Sequence, residues 1–132
     1  FAQVVASDAS QAQLGQARRL GHAGLFAARA ERAPLATASV DLVTVAQALH
    51  WFDLPAFFAE VQRVLKPGGV LAAWTYNLFT ITPAVDAELA RFYADEVGAW
   101  WPPDRRHVEN AYADIELPWG GGTRTTLPMR AT

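Results

Sequence analysis

Cysteine does not occur in the 132-residue sequence, which excludes disulfides, thiolate nucleophiles and cysteine-ligated metal sites and fits a reducing compartment. Methionine occurs once and histidine three times. His22, His50 and His107 show none of the spacings of metal ligands, so no metal site is expected. A surplus of charge is lacking too. The 11 basic and 13 acidic residues leave a net charge of −2, with no general drive toward nucleic acid or anionic lipid. No apolar run approaches the roughly 18 residues of a membrane span, and no signal-peptide pattern is visible. The chain therefore reads as soluble and cytoplasmic, with no nucleic acid and no membrane among its partners. What is present is 52% apolar and 18% charged residues, the composition of one globular domain that buries a core.

The strand and helix signals alternate. "QVVAS", 3–7, is a short apolar strand, and Ser10 with Gln13 three residues on is a capping-box signature for a helix running to about Leu20, where Gly21 stops it. "GLFAA", 24–28, is a weaker strand, and "ERAPLATAS", 31–39, a loop. "VDLVTVAQ", 40–47, is rich in β-branched residues, as in a strand covered on both faces of a parallel sheet. From Pro55 to Leu65, Phe57, Phe58, Val61, Val64 and Leu65 fall on one helical stripe. Lys66 sits in its last turn, Pro67 and two glycines end it, and "VLAAW", 70–74, begins a fourth strand. Strand, helix and strand make a βαβ unit, which crosses over right-handed. Thr82 and Pro83 start a further helix, ending at Gly98, with Val85, Leu89, Phe92 and Tyr93 on one face. After it, "WWPPDRRHVENAYADIELPW" has the aromatic and Pro-rich character of a substrate-side lid or insertion.

In an open parallel α/β sheet, ligands sit beyond the carboxyl ends of the strands. This places Asp8, Ala30, the run Gln47 to Phe52, and Tyr76 with Asn77 along one edge. A carboxylate directly after a strand, as at Asp8, accepts two hydrogen bonds from a ribose cis-diol. Asp8 serves equally well as a turn or cap residue.

The segments "VVASDAS", "ARAERAPLATASVDLVTVAQALHWFD" and "EVQRVLKPGGVLAAW" together resemble the class I S-adenosylmethionine-dependent methyltransferases. The similarity is greatest to the small-molecule, type 11 branch that contains the trans-aconitate methyltransferase-like enzymes. It covers residues 1 to about 77 and continues more loosely through "WWPPDRRHVENAYADI". The resemblance implies a Rossmann-like α/β sheet with helices on both faces. It divides the chain into a partial cofactor-binding core, 1–77, and a helical, aromatic substrate-side segment of the same domain, 78–132.

By position, the resemblance implies S-adenosylmethionine as cofactor and assigns Asp8 to its ribose hydroxyls. It sets Ala9, Ala30 and Glu31 beside the adenine, and Ala46 and Gln47 beneath the methionine part. His50 and Trp51 would line the methyl-transfer pocket, and the face of Trp51 would meet the sulfonium cation. Both are equally at home as packing between sheet and helix. Arg105 and Arg106 would face an anionic acceptor, or be plain solvated charges.

Two departures from the family pattern stand out. Arg29 occupies the position where the family often carries an acid for the adenine amino group, so a backbone amide would have to serve there. The family's first strand and its Gly-rich loop have no counterpart before Asp8. The resemblance thus implies a fragment of a longer enzyme, inactive alone, whose missing first and last strands leave neighbouring edges open to pairing in a homodimer. The expected function is methyl transfer to a small-molecule acceptor, a carboxylate among the candidates. The alternatives are a non-catalytic Rossmann-like binding domain that has lost the cofactor site and, more remotely, a nicotinamide-dependent dehydrogenase.

Overall fold

The computed structural model describes residues 2–22 and 24–129; Phe1 and Arg130 to Thr132, the outer ends of the two expected segments, lie outside them. The first strand, β1, is Ala6–Asp8, shorter than and displaced from the expected 3–7. The helix α1, Gln11–Arg19, begins where the capping box places it. Ser10 Oγ accepts the N–H of Gln13 at 3.4 Å, which satisfies one of the free donors of the first turn. Gly21, at φ +86°, closes the far end. Leu25–Ala27 is β2, and it pairs with β1 in parallel.

The second half of the sheet is the βαβ unit. β3 is Val40–Ala46, and α2 is Leu54–Val64 with Asp53 as its cap, the carboxylate accepting the Ala56 N–H at 3.2 Å. Phe57, Phe58, Val61 and Val64 are buried along its inner stripe. β4 starts earlier than its sequence signals place it, running Leu65–Trp74 parallel to β3. Lys66 to Gly69 do not break the strand. They bulge it, shifting the register between Val40 and Leu42. Glycine is required there twice, because Gly68 sits at φ +80° and a Cβ on Gly69 would lie 3.0 Å from the Lys66 carbonyl oxygen.

Among the described residues the four strands form two parallel pairs, β1 with β2 and β3 with β4, without hydrogen bonds between the pairs. This is the α/β class, with an incomplete Rossmann-like sheet in which each strand has one paired edge among the described residues. The expectation that β3 is covered on both faces needs correction. Val45 is buried and Val43 packs on the core, but Thr44 and Ala46, on the opposite face, are exposed, because that face of the pair is left uncovered toward its carboxyl end.

The core joins Val45, Leu49, Phe57, Phe58 and Val61 to Val108, Tyr112 and Ile115. The segment from Trp100 to Trp119 is thus no loose cover over the sheet: it contributes three core residues. The helix expected from Thr82 to Gly98 is also corrected. α3 covers Pro83–Arg91 and gives way to a wider π turn over Phe92–Glu96 and a tight 3₁₀ turn over Gly98–Trp100. None of α3 is buried, so its apolar face supplies too little packing to hold one long regular helix. A short helix, α4, Arg105–Glu109, precedes the chain's passage into the core.

Candidate functional site

Asp8 ends β1 and uses one carboxylate oxygen locally, Oδ1 accepting the Ser10 N–H at 2.7 Å. Its other oxygen has no protein partner among the described residues, and the residue is exposed, as is Ala9. The cap role and a ligand role are therefore compatible, each taking a different oxygen. Ala30 packs against the core. Glu31 is already engaged on both oxygens: Oε1 accepts the Asp53 N–H at 3.0 Å and Oε2 the Arg29 Nε–H at 3.2 Å. Burial pushes its carboxyl up, but the hydrogen bonds from its own backbone and from Asp53, with the Arg29 guanidinium, outweigh this and hold it below the usual range.

Ala46 and Gln47 close β3. Gln47 is a non-glycine residue at φ +50°, a sparsely populated conformation that needs local support. Its side chain supplies that support. Oε1 accepts the Thr75 hydroxyl and the Tyr76 N–H, each at 2.8 Å, and Nε2 donates to the Tyr76 carbonyl at 3.1 Å. The amide thus fastens the carboxyl ends of β3 and β4 together and is spent in doing so.

The next residues form a 3₁₀ turn, Leu49–Trp51, that carries the chain from the sheet to α2. His50 and Trp51 are adjacent but opposite in character: His50 is 4% exposed and Trp51 62%. Their rings lie 4.7 Å apart. The His50 ring turns inward to Tyr112, with Nδ1 3.1 Å from the phenol oxygen. Burial, and then the nearby Arg105 and His107, hold His50 below its ordinary range, with Asp104 pulling weakly the other way. The ring is thus neutral near pH 7.

α4 packs against this turn. Arg105 and Arg106, expected to act together, line the same cavity, Arg105 half-buried and Arg106 exposed. The Arg105 guanidinium lies 4.6 Å from the Trp101 ring centre and 5.6 Å from that of Tyr93. Its Nε–H donates to the Tyr93 hydroxyl at 2.8 Å, which in turn donates to Glu109 at 2.9 Å. These residues line a cavity of about 350 Å³. The terminal guanidinium nitrogens have no hydrogen-bond partner among the described residues, which leaves a fork able to take a carboxylate. A larger cavity of about 420 Å³, lined by Thr37, Arg63, Lys66 and Trp119, lies at the amino end of β3. Ligands of parallel sheets bind at the other end, so it is not the candidate site.

Sequence reasoning missed Tyr93 and Tyr112. Neither stands in a motif, and only the fold brings them to Arg105 and His50.

The family described as "Methyltransferase domain" matches residues 1–73 of the chain. A Dictyostelium discoideum protein named as a methyltransferase is 36% identical over 132 residues, 98% of this chain and 50% of that protein. A malonyl-[acyl-carrier protein] O-methyltransferase of Xylella fastidiosa is 35% identical over 101 residues, 73% of this chain and 33% of its own length. A solved structure from Anaeromyxobacter dehalogenans, described as a type II methyltransferase, is 45% identical and superposes with a TM-score of 0.73, covering 89% of this chain and 50% of that one. The chain spans about half the length of the Dictyostelium and Anaeromyxobacter proteins. With its incomplete Rossmann-like sheet and the site at the strands' carboxyl ends, it belongs to the class I S-adenosylmethionine-dependent methyltransferase family.

Proposed function

We propose that this chain is the core of an enzyme that methylates a small-molecule carboxylate with S-adenosylmethionine, acting in the cytoplasm, as the lack of cysteine supports. The free oxygen of Asp8 at the end of β1 fits the ribose of such a cofactor. Ala9 and Ala30 are small enough to let adenine approach. Ala46 and the Gln47 backbone would lie under the methionine part. When bound, the cofactor supplies a methyl group on a positively charged sulfur, already activated toward a carboxylate.

The chain's own residues then have to bind, orient and exclude water. Trp51 offers an exposed aromatic face at the turn after β3, worth on the order of 0.5–2 kcal/mol to a nearby cation. The observation that carries the carboxylate reading is the Arg105 fork. It is held against Tyr93 and Trp101 with its terminal nitrogens open, on the helix that packs against the His50 turn. The name of the Xylella relative, a malonyl-[acyl-carrier protein] O-methyltransferase, supports an acidic acceptor, over 33% of that protein's length.

The test has two parts. Calorimetric titration of the full-length protein with S-adenosylmethionine and, separately, NAD should show binding of the first alone. Replacing Arg105 with Gln should then reduce turnover on anionic acceptors selectively, with unchanged cofactor affinity. An unchanged acceptor profile removes Arg105 from the site.

A further inference from the structure

The turn that follows α4 contains two consecutive non-glycine residues in the left-handed region, Ala111 at φ +50° and Tyr112 at φ +59°. Each is a costly conformation that persists only where neighbours enforce it. Here three contacts do so. The Tyr112 N–H donates to the His107 carbonyl at 2.7 Å. His107 Nδ1 pairs with Asp114 at 2.9 Å across the turn. Arg124 donates to the carbonyls of both Tyr112 and Ile115 at 3.2 Å. The product of this enforced geometry is one placement: the Tyr112 ring, 7% exposed, brings its hydroxyl to His50 Nδ1.

The other ring nitrogen of His50 is in a different position. No side-chain nitrogen or oxygen among the described residues is both buried and without a hydrogen-bond partner. Nε2 has no such partner, so it is the ring nitrogen that reaches the surface. The roles of the pair follow from the phenol oxygen. Burial pushes the Tyr112 hydroxyl up in pKa, so it keeps its proton and can donate it. Donated to Nδ1, its one hydrogen-bond partner among the described residues at 3.1 Å, that proton leaves this ring nitrogen unprotonated. The proton of the neutral imidazole then sits on Nε2.

We infer that Tyr112 is a positioning residue for His50: its hydroxyl holds Nδ1, fixing the ring and its tautomer so that Nε2–H faces outward as a hydrogen-bond donor to the carboxylate of the methyl acceptor. This rests on the carboxylate reading above and adds to it the residue that orients the donor. Such an arrangement uses a second residue to set which imidazole nitrogen carries the proton. Without the phenol, both tautomers are open to the ring and only one of them presents the donor.

The test uses the full-length protein with ¹⁵N-labelled histidine, malonate as the carboxylate probe, and the Tyr112→Phe variant, which keeps the core ring and removes the hydroxyl. In the unaltered protein the His50 nitrogens should report Nδ1 unprotonated and Nε2 protonated, with the Nε2–H signal moving as malonate is added. Tyr112→Phe should mix the tautomers and weaken malonate binding about five- to ten-fold, the worth of one hydrogen bond, with S-adenosylmethionine affinity unchanged. A protonated Nδ1 in the unaltered protein overturns the inference even if the variant fails to fold. So do His50 signals that Tyr112→Phe leaves as they were. Altered signals with no response to malonate in either protein overturn the role toward the acceptor, and the carboxylate reading with it.

Discussion

Glu31 Oε1 accepts the backbone N–H of Asp53 at 3.0 Å, so the loop after β2 is tied directly to the cap of α2. Asp53 in turn caps the helix that carries Phe57 and Phe58 into the core. A residue assigned by resemblance to the adenine side of the site is thereby a brace for the turn that holds His50.

Glu31→Ala should act on stability before it acts on cofactor binding. Loss of a carboxylate engaged on both oxygens should lower the thermal midpoint by a few degrees, roughly the effect of 1 kcal/mol in a domain of this size. S-adenosylmethionine affinity of the full-length protein, measured by calorimetry, should change by less than about three-fold, well short of one strong hydrogen bond.

Asp8 separates the other way. Asp8→Asn keeps an oxygen for the Ser10 N–H and removes the charge, so stability should hold while cofactor affinity falls roughly ten-fold, the worth of a charge-assisted contact. Asp8→Ala should weaken binding similarly and also destabilise α1. His50→Ala should leave the affinity alone and lower turnover. Equal, small effects of Asp8→Ala and His50→Ala on affinity would favour a non-catalytic domain.

At Gln47 the backbone and the side chain make opposing demands. Gln47→Ala loses the bonds to Thr75 and Tyr76 and keeps a Cβ at φ +50°, whereas Gln47→Gly loses the same bonds but relieves the backbone. The Gly variant should therefore be more stable than the Ala variant by about 1 kcal/mol in urea unfolding, the reverse of their order in an ordinary strand.

Acid should destabilise the fold through two kinds of group. Hydrogen bonds from Arg63 above all hold the Glu60 carboxyl below its usual range, and Glu31 is lowered as well. Their contributions are present above the unfolded carboxylate pKa and vanish as pH falls through the folded values. His50 is also lowered, by burial, so the unfolded chain takes up its proton first and stability declines from about pH 6.5 downward. Urea midpoints measured from pH 7.5 to 4 should fall in both stages, and His50→Gln should flatten the upper one.

Two phenylalanines 34 positions apart in the sequence test the extent of the core. Phe58→Ala, buried against Trp119 and Val61, should cost about 3–5 kcal/mol. Phe92→Ala, on the face that the spacing makes look buried but that is 52% exposed, should stay within about 0.5 kcal/mol.

What the sequence by itself determined is local. Ser10, Asp53 and Thr82 cap the helices that follow them, since a cap is a contact over three residues and its partners are written side by side. The stripe of α2 and the β-branched run of β3 are short-period patterns of the same kind, and the run from Ser39 to Trp74 carried the family resemblance. Even so, "KPGG" read as a helix stop, because whether two glycines end one element or bulge the next depends on the strand beside them. How the side chains of the site are engaged was decided by tertiary structure. Tyr112 reaches His50 across 62 positions, Arg105 sits between Tyr93 and Trp101, and Glu31 Oε1 and the Gln47 amide are taken by partners 22 to 29 positions away. No spacing rule encodes such contacts, because they exist only once burial of Phe57, Phe58, Val61 and Val108 has fixed where the distant backbones lie.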